Sequence, residues 1–386
     1  MSPESWLDLR VLVTVGTGGV GKTTVSAALG LEAARRGKRV LVLTIDPAKR
    51  LADALGIDEL SHEPRELELR VAGGGSLAAM VLDTKRTFDE LVMRFSPDVE
   101  SRERILANPI YRNLTDALAG SREYSAMAKL YQLYSDGDYD LIVLDTPPAK
   151  HALDFLETPR RLQGFLDSGF LKVLLHPAAA IGRTGFRLFR FGSELVLKAM
   201  ERITGIEFLT AISEFLLAFE AMLGDFTRQG REVERLLRDL SCGFVLVAGP
   251  DPEQARLARS FWRRLEPERI HLVGLVLNRI RVWPGSGPPP EVDAAERTAA
   301  LTWLQKELEE RGLEETAEAA ARSLLGIAEQ QAALARRDAE NCAQMERALP
   351  LEPAQVRRIP LFDEDIHALD TLARMGEHML GKSEDG

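Results

Sequence analysis

The stretch "VLVTVGTGGVGKTT" occupies residues 11–24, and its two halves ask for different backbones. Val11–Val15 run apolar without alternation, the pattern of a strand buried on both faces. Gly16, Thr17, Gly18, Gly19, Val20, Gly21, Lys22 and Thr23 then satisfy the spacing G-x-x-x-x-G-K-[ST]. Glycines at these places let successive amide groups turn inward and form a nest for phosphate oxygens. A helix expected over Thr23–Arg36, closed by Gly37, points its positive end at the same anion. Lys22 is then placed to reach β- and γ-phosphates, the Thr23 hydroxyl to sit on Mg²⁺, and Thr24 to donate to an inner phosphate. A strand before the loop and a helix after it are the context this reading needs.

Further apolar runs bounded by turn residues recur at Val40–Ile45, Leu77–Leu82, Leu141–Leu144, Phe244–Val247 and Leu272–Leu277. A last strand is expected in "QVRRIPLF" (355–362). Together they predict an α/β fold, a P-loop NTPase whose mostly parallel, twisted sheet is flanked by helices. Residues 85–137 and 155–240 lack strand signals and are rich in Leu, Phe, Met and Arg. They are expected to be helical insertions forming a subdomain. "PGSGPPPEV" (284–292) reads as a break, and 291–348, rich in Ala, Glu and Arg, as a helical hairpin before the last strand. Residues 1–386 are thus read as one P-loop unit with these excursions.

Two acids end apolar runs. Asp145, in "LIVLDTPPAKHALDFL" (141–156), stands where a Walker-B acid would hold Mg²⁺ through a water. Asp46, in "LTIDPAKRLADALG" (43–56), follows the second strand. Sequential parallel strands usually neighbour one another, which predicts the second strand beside the first and Asp46 near the loop. There its carboxylate would orient the attacking water, in a reaction that depends on positioning more than on covalent chemistry.

Composition narrows the classes. The chain has 386 residues, 45% hydrophobic and 28% charged, with a formal net charge of −10. That balance argues against a protein that tracks a nucleic-acid backbone, which needs a basic face. Cys242 and Cys342 stand far apart and form no CxxC, so they read as reduced thiols rather than a disulfide or zinc frame. No run reaches the ~18 apolar residues of a membrane-spanning helix, and "MSPESWLDLR" lacks the apolar segment of a secretory signal. A cytoplasmic protein is expected, with peripheral contact at a membrane as the variant reading.

With these pieces in order, the sequence resembles the arsenite-pump and tail-anchored-protein-targeting ATPases, dimeric P-loop enzymes with a deviant Walker A loop. Within them it looks similar to the bacterial anion-transporting ATPase branch. The residues that carry the resemblance are "GTGGVGKTT" (16–24), "DPAKRLADALG" (46–56), "DTPPAKHALDFLETP" (145–159), "GLVLNR" (274–279) and "IPLFDEDI" (359–366). It implies an Mg·ATP hydrolase in which Lys22, Thr23 and Thr24 bind phosphate and metal. Asp46 would position water in a first switch, and Asp145 would touch the metal shell in a second. It further implies that Asn278 reads adenine and that Pro360 flanks the base. The helical insertions would correspond to the subdomain that engages a hydrophobic client or a membrane partner.

The sequence departs from that pattern at two places. Members with the full signature carry lysine at the place of Thr17, which crosses the dimer interface to the partner's phosphates. A charge supplied in trans to other nucleotide hydrolases is worth about 10³–10⁵ in rate. Either a paralogous partner supplies the lysine in a heterodimer, or a homodimer turns over slowly, or another cation substitutes, with Lys49 and Lys150 as candidates. The second departure is the missing CxxC, which leaves neither a zinc clasp between subunits nor a thiol cluster for arsenite.

"IGRTGFRLFRFGSELVLKAMER" (181–202) places Arg183, Arg187 and Arg190 on one helical side. It reads either as a basic amphipathic element facing a membrane or groove, or as a packed helix with solvated arginines. The leading expectation is a nucleotide-switched ATPase. The alternatives are a partitioning-type ATPase, a small-molecule kinase, and a catalytically weak subunit that binds nucleotide for structure.

Overall fold

The computed structural model describes residues 3–46, 49–68, 74–108, 111, 121–147, 222, 224–225, 227–285, 287–291, 293–366 and 368–381. Among the described residues, eight strands form one sheet in the order β3-β4-β2-β5-β1-β6-β7-β8. They are β1 (Val11–Gly16), β2 (Arg39–Thr44), β3 (Arg65–Glu66), β4 (Ser76–Val81), β5 (Leu141–Asp145), β6 (Cys242–Ala248), β7 (Leu272–Ile280) and β8 (Val356–Pro360). All pair in parallel except β3, which runs antiparallel to β4. Each predicted strand is found: β1 and β5 run one residue longer than expected, β2 and β4 begin and end one residue earlier, and β8 fills only part of 355–362. β6 gains residues at both ends, and β7 runs on through Asn278 to Ile280. β3 carries no apolar signal, because both of its residues are exposed and charged.

One expectation about order fails. β2 does not lie beside β1; β5 separates them and pairs with both. In register, Asp145 of β5 therefore stands between Thr14 of β1 and Thr44 of β2. Asp46 still reaches the loop region, from one strand further away.

The unalternating runs are explained by burial on both faces. Val11, Val13, Leu41, Leu43, Ile142, Leu144, Phe244 and Leu246 pack into one core. It is closed by α5 (Ser121–Asp136), the helical residues 227–238, α6 (Pro252–Leu265) and α8 (Ala317–Glu346). Leu12, Val40, Val42, Val143, Val245 and Val247 point the other way. They meet α1 (Lys22–Arg35), α2 (Arg50–Leu55) and α9 (Leu369–Leu380). The period-2 alternation of a strand thus divides one apolar run between two cores.

Between β4 and β5 the described residues include α3 (Thr84–Phe95), α4 (Val99–Ala107) and α5. α7 (Ala294–Glu310) lies against α8. Residues 148–221 lie outside the described residues, so Lys150 and the basic element at 181–202 have no structural account here.

The outer layer is stitched at its seams. Glu32 of α1 is fully buried and accepts from Arg36 Nε at 3.0 Å. The Arg36 guanidinium also donates to the carbonyls of Leu380 and Gly381 at the end of α9. Trp6 fills space that a side chain at Gly274 would need, a Cβ there falling 2.0 Å from the indole. Its Nε1 donates to Val273 O at 3.1 Å. Among the described residues, no helix is long and apolar enough to cross a membrane.

Candidate functional site

The carboxyl ends of the parallel strands meet at one rim, where ligands of open α/β sheets bind. β1 delivers the glycine loop there, and α1 leaves it at Lys22. Gly21 stands at the helix N-cap with a left-handed backbone, φ +88°. A Cβ on Gly21 would fall 2.4 Å from Asn278 Nδ2, so the loop and the end of β7 are in close approach. Gly16 is similarly confined, its Cβ position lying 2.1 Å from Val247 O.

The loop's carbonyls find donors on its outer side. Asn278 Nδ2 donates to Val20 O at 2.8 Å, and Arg279 Nη1 donates to Gly19 O at 3.0 Å. Asn278 Oδ1 accepts from Arg279 N at 3.0 Å, which the left-handed backbone of Arg279 (φ +63°) brings round. A loop whose amides face a ligand must send its carbonyls the other way, and buried carbonyls need partners. The amide nitrogen of Asn278 therefore serves the loop, while its oxygen holds the turn of β7 at Arg279. Pro360 ends β8, which pairs with β7, and Leu361 N donates to Ile280 O at 2.9 Å.

Lys22 is buried and its Nζ donates to Thr17 O at 2.8 Å. Burial holds its ammonium below the ordinary lysine value, against the charge of Asp145. Thr17 Oγ1 donates to Gln254 Oε1 at 2.5 Å, a tie from the loop to the first turn of α6.

Asp145 is the centre of the cluster, with 1% of its surface exposed. Its Oδ2 accepts from Thr23 Oγ1 at 2.8 Å and from Thr44 Oγ1 at 2.9 Å. Its Oδ1 is buried and has no hydrogen-bond partner among the described residues. Burial pushes the carboxyl above the usual carboxylate range, and the two hydroxyl donors and Lys22 only oppose that rise. A carboxylate oxygen with lone pairs to spare, beside a threonine hydroxyl, is the hard-oxygen donor chemistry that Mg²⁺ takes. These residues fit that ion.

Asp46 lies just past β2, its backbone amide donating to Thr44 Oγ1 at 3.3 Å and its Oδ2 accepting from Arg50 Nη1 at 3.1 Å. The structure thus brings Lys22, Thr23, Asp145 and Asp46 together and sets Asn278 behind the loop. Sequence reasoning missed Thr44, Gln254, Arg50 and Arg279. Thr44, Arg50 and Arg279 stood inside motifs already singled out, whereas Gln254 did not.

Among the described residues, no group of three or more His, Cys, Asp or Glu side chains could hold a metal on its own. The two thiols, Cys242 and Cys342, are buried.

The family described as "Anion-transporting ATPase" matches residues 9–218. A provisionally named arsenical pump-driving ATPase of Halobacterium salinarum is 31% identical over 179 residues, 44% of this chain and 27% of that protein. ATPase GET3 of Malassezia globosa is 34% identical over 155 residues, 40% of this chain and 44% of its own length. An ATPase ASNA1 homolog of Babesia bovis is 34% identical over 252 residues, 60% of this chain and 64% of its own. The matched part therefore spans between about a quarter and two thirds of these relatives.

Proposed function

The chain belongs to the anion-transporting ATPase family, and from that premise we propose that it binds Mg·ATP in the glycine loop and hydrolyses it to ADP and phosphate. The observation that carries the reading is the Asp145 cluster. A buried carboxylate offers one oxygen to two hydroxyls and keeps the other unpartnered, at the mouth of a loop whose amides suit phosphate. Thr23 and Asp145 would hold Mg²⁺, which, when bound, neutralises charge on the β- and γ-phosphate oxygens. Lys22 would leave Thr17 O for those oxygens, regaining in the anion's field the charge that burial disfavours. Asp46 would orient the attacking water.

The remainder of the reading is a dimeric, cytoplasmic switch, in which nucleotide state moves helical insertions over 85–137 and 155–240 that engage a hydrophobic client or membrane partner. Residues 1–386 act in it as one P-loop unit, with 291–348 as a further helical excursion. Relatives named ATPase GET3, ATPase ASNA1 homolog and arsenical pump-driving ATPase support a client-handling ATPase more than a partitioning one, and the net charge of −10 agrees. A second reading is a weakly hydrolysing subunit paired with a lysine-bearing paralogue. Thr17, tied to Gln254 where the signature lysine would stand, favours it.

The test is ATP turnover and native mass of the purified chain, alone and with the neighbouring paralogue. Turnover by the chain alone that is lost in Lys22→Ala supports the first reading. Tight Mg·ATP binding without turnover, restored by the paralogue, selects the second. No binding of ADP or ATP at millimolar Mg²⁺ overturns both.

A further inference from the structure

Arg50 opens α2 four residues after Asp46, and its Nη1 donates to Asp46 Oδ2 at 3.1 Å. Its side chain is 67% exposed, that of Asp46 29%. Asp46 is tied in turn to the loop cluster: its backbone amide donates to Thr44 Oγ1, and Asp145 Oδ2 accepts from both Thr44 Oγ1 and Thr23 Oγ1. Arg50 therefore rests on the switch acid at the edge of the loop cluster. Thr17 brings no charge to this rim, and Lys49 stands at the N-cap of α2.

We propose that Arg50 is a catalytic cation of this chain, resting on Asp46 and passing to the γ-phosphoryl oxygens when a nucleoside triphosphate enters. This rests on the nucleotide reading above and goes beyond it by assigning the charge that Thr17 lacks. An ion pair this exposed is weak, whereas a guanidinium binds phosphate oxygens through paired, charge-assisted hydrogen bonds. A triphosphate–magnesium complex thus outcompetes one carboxylate for it.

The exchange also takes the guanidinium off Asp46. In the resting state its carboxylate is held by Arg50; with the triphosphate in place it turns to the water. The water oxygen then bonds to the γ-phosphorus, and the bond from that phosphorus to the β-bridging oxygen breaks. Its electron pair leaves on ADP. One water proton stays on the phosphate product and the other goes to solvent, while Arg50 keeps its own protons throughout.

The experiment measures turnover and binding for the full chain and for Arg50→Ala, Arg50→Lys and Lys22→Ala. Calorimetry with ADP and with ATPγS, at millimolar Mg²⁺, reports the affinity ratio between the two. Arg50→Ala is expected to lower kcat at least about tenfold, with KM changed far less. ADP affinity stays within about twofold, and the preference for ATPγS over ADP is lost. Arg50→Lys restores part of both, which a merely structural role would not do. Unchanged kcat in Arg50→Ala, with Lys22→Ala inactive, overturns the proposal and leaves the nucleotide reading standing. If the isolated chain does not turn over, the affinity ratio decides: one that Arg50→Ala leaves unchanged overturns it equally. Absence of all nucleotide binding removes both. Thermal unfolding of each variant excludes loss of fold, which the exposure of Arg50 makes a small effect.

Discussion

A single carboxylate shows how function is set against stability in this chain. Asp145 is almost wholly buried, and burial raises its carboxyl well above the ordinary range. A carboxyl whose folded value lies above its unfolded one, near ~3.9, subtracts stability as pH rises past that unfolded value. Below it both states are protonated, and nothing is subtracted. Asp145→Asn keeps an oxygen for Thr23 and Thr44 and removes the charge. The variant without nucleotide should melt higher at pH 7, by roughly 1–4 °C, with the gain shrinking toward pH 4. The same change should abolish Mg²⁺-dependent turnover. Scanning calorimetry across pH checks the first statement; a lower melting point at pH 7 would contradict the burial argument.

At the scale of elements, the end of β7 and the glycine loop act as one piece. Asn278 donates to Val20 O, Arg279 to Gly19 O, and no side chain fits at Gly21 without displacing the Asn278 amide. The family resemblance implies that Asn278 reads adenine, whereas the geometry makes it a prop for the phosphate nest. Asn278→Ala distinguishes the two roles. Loss of the prop weakens ADP and GDP alike, by about tenfold for one buried hydrogen bond and its unpaired carbonyl. Loss of base reading weakens ADP alone. Fluorescence titration with both nucleotides makes the comparison.

How much was legible before the structure follows from the same elements. Strands buried on both faces read as plain apolar runs, so seven of the eight strands of the sheet could be seen; charged, exposed Arg65–Glu66 could not. The loop's residues were legible because phosphate binding dictates their spacing. The insertion of β5 between β1 and β2 was not, since chain order carries no mark of it. Nor were the ties of Thr17 to Gln254 and of Arg50 to Asp46. The first joins residues 237 apart in sequence, and the second depends on how one long side chain folds back.

For the whole molecule, one of the two cores closes off both thiols. Cys242 is wholly buried, and burial pushes its thiol far up; Cys342 is raised to about 11 by the same cause. Thiolate, not thiol, reacts with alkylating agents and binds arsenite. Native protein at pH 8 should therefore take up no iodoacetamide within minutes and give no heat with arsenite. Denatured protein should take up two labels, one for each cysteine, as counted by mass spectrometry. Rapid labelling of the native chain would show an accessible thiol that this packing forbids.

The seam between α1 and α9 governs how the molecule can be made. Arg36 binds Leu380 O across 344 residues of sequence, and Trp6 waits for the gap at Gly274. A ribosome adding about 5–20 residues per second separates the birth of the first partners from that of the last by roughly 20–70 s. Throughout that interval the side of α1 that meets α9 has no cover, so the nascent chain must be shielded or kept from collapsing wrongly until α9 has emerged.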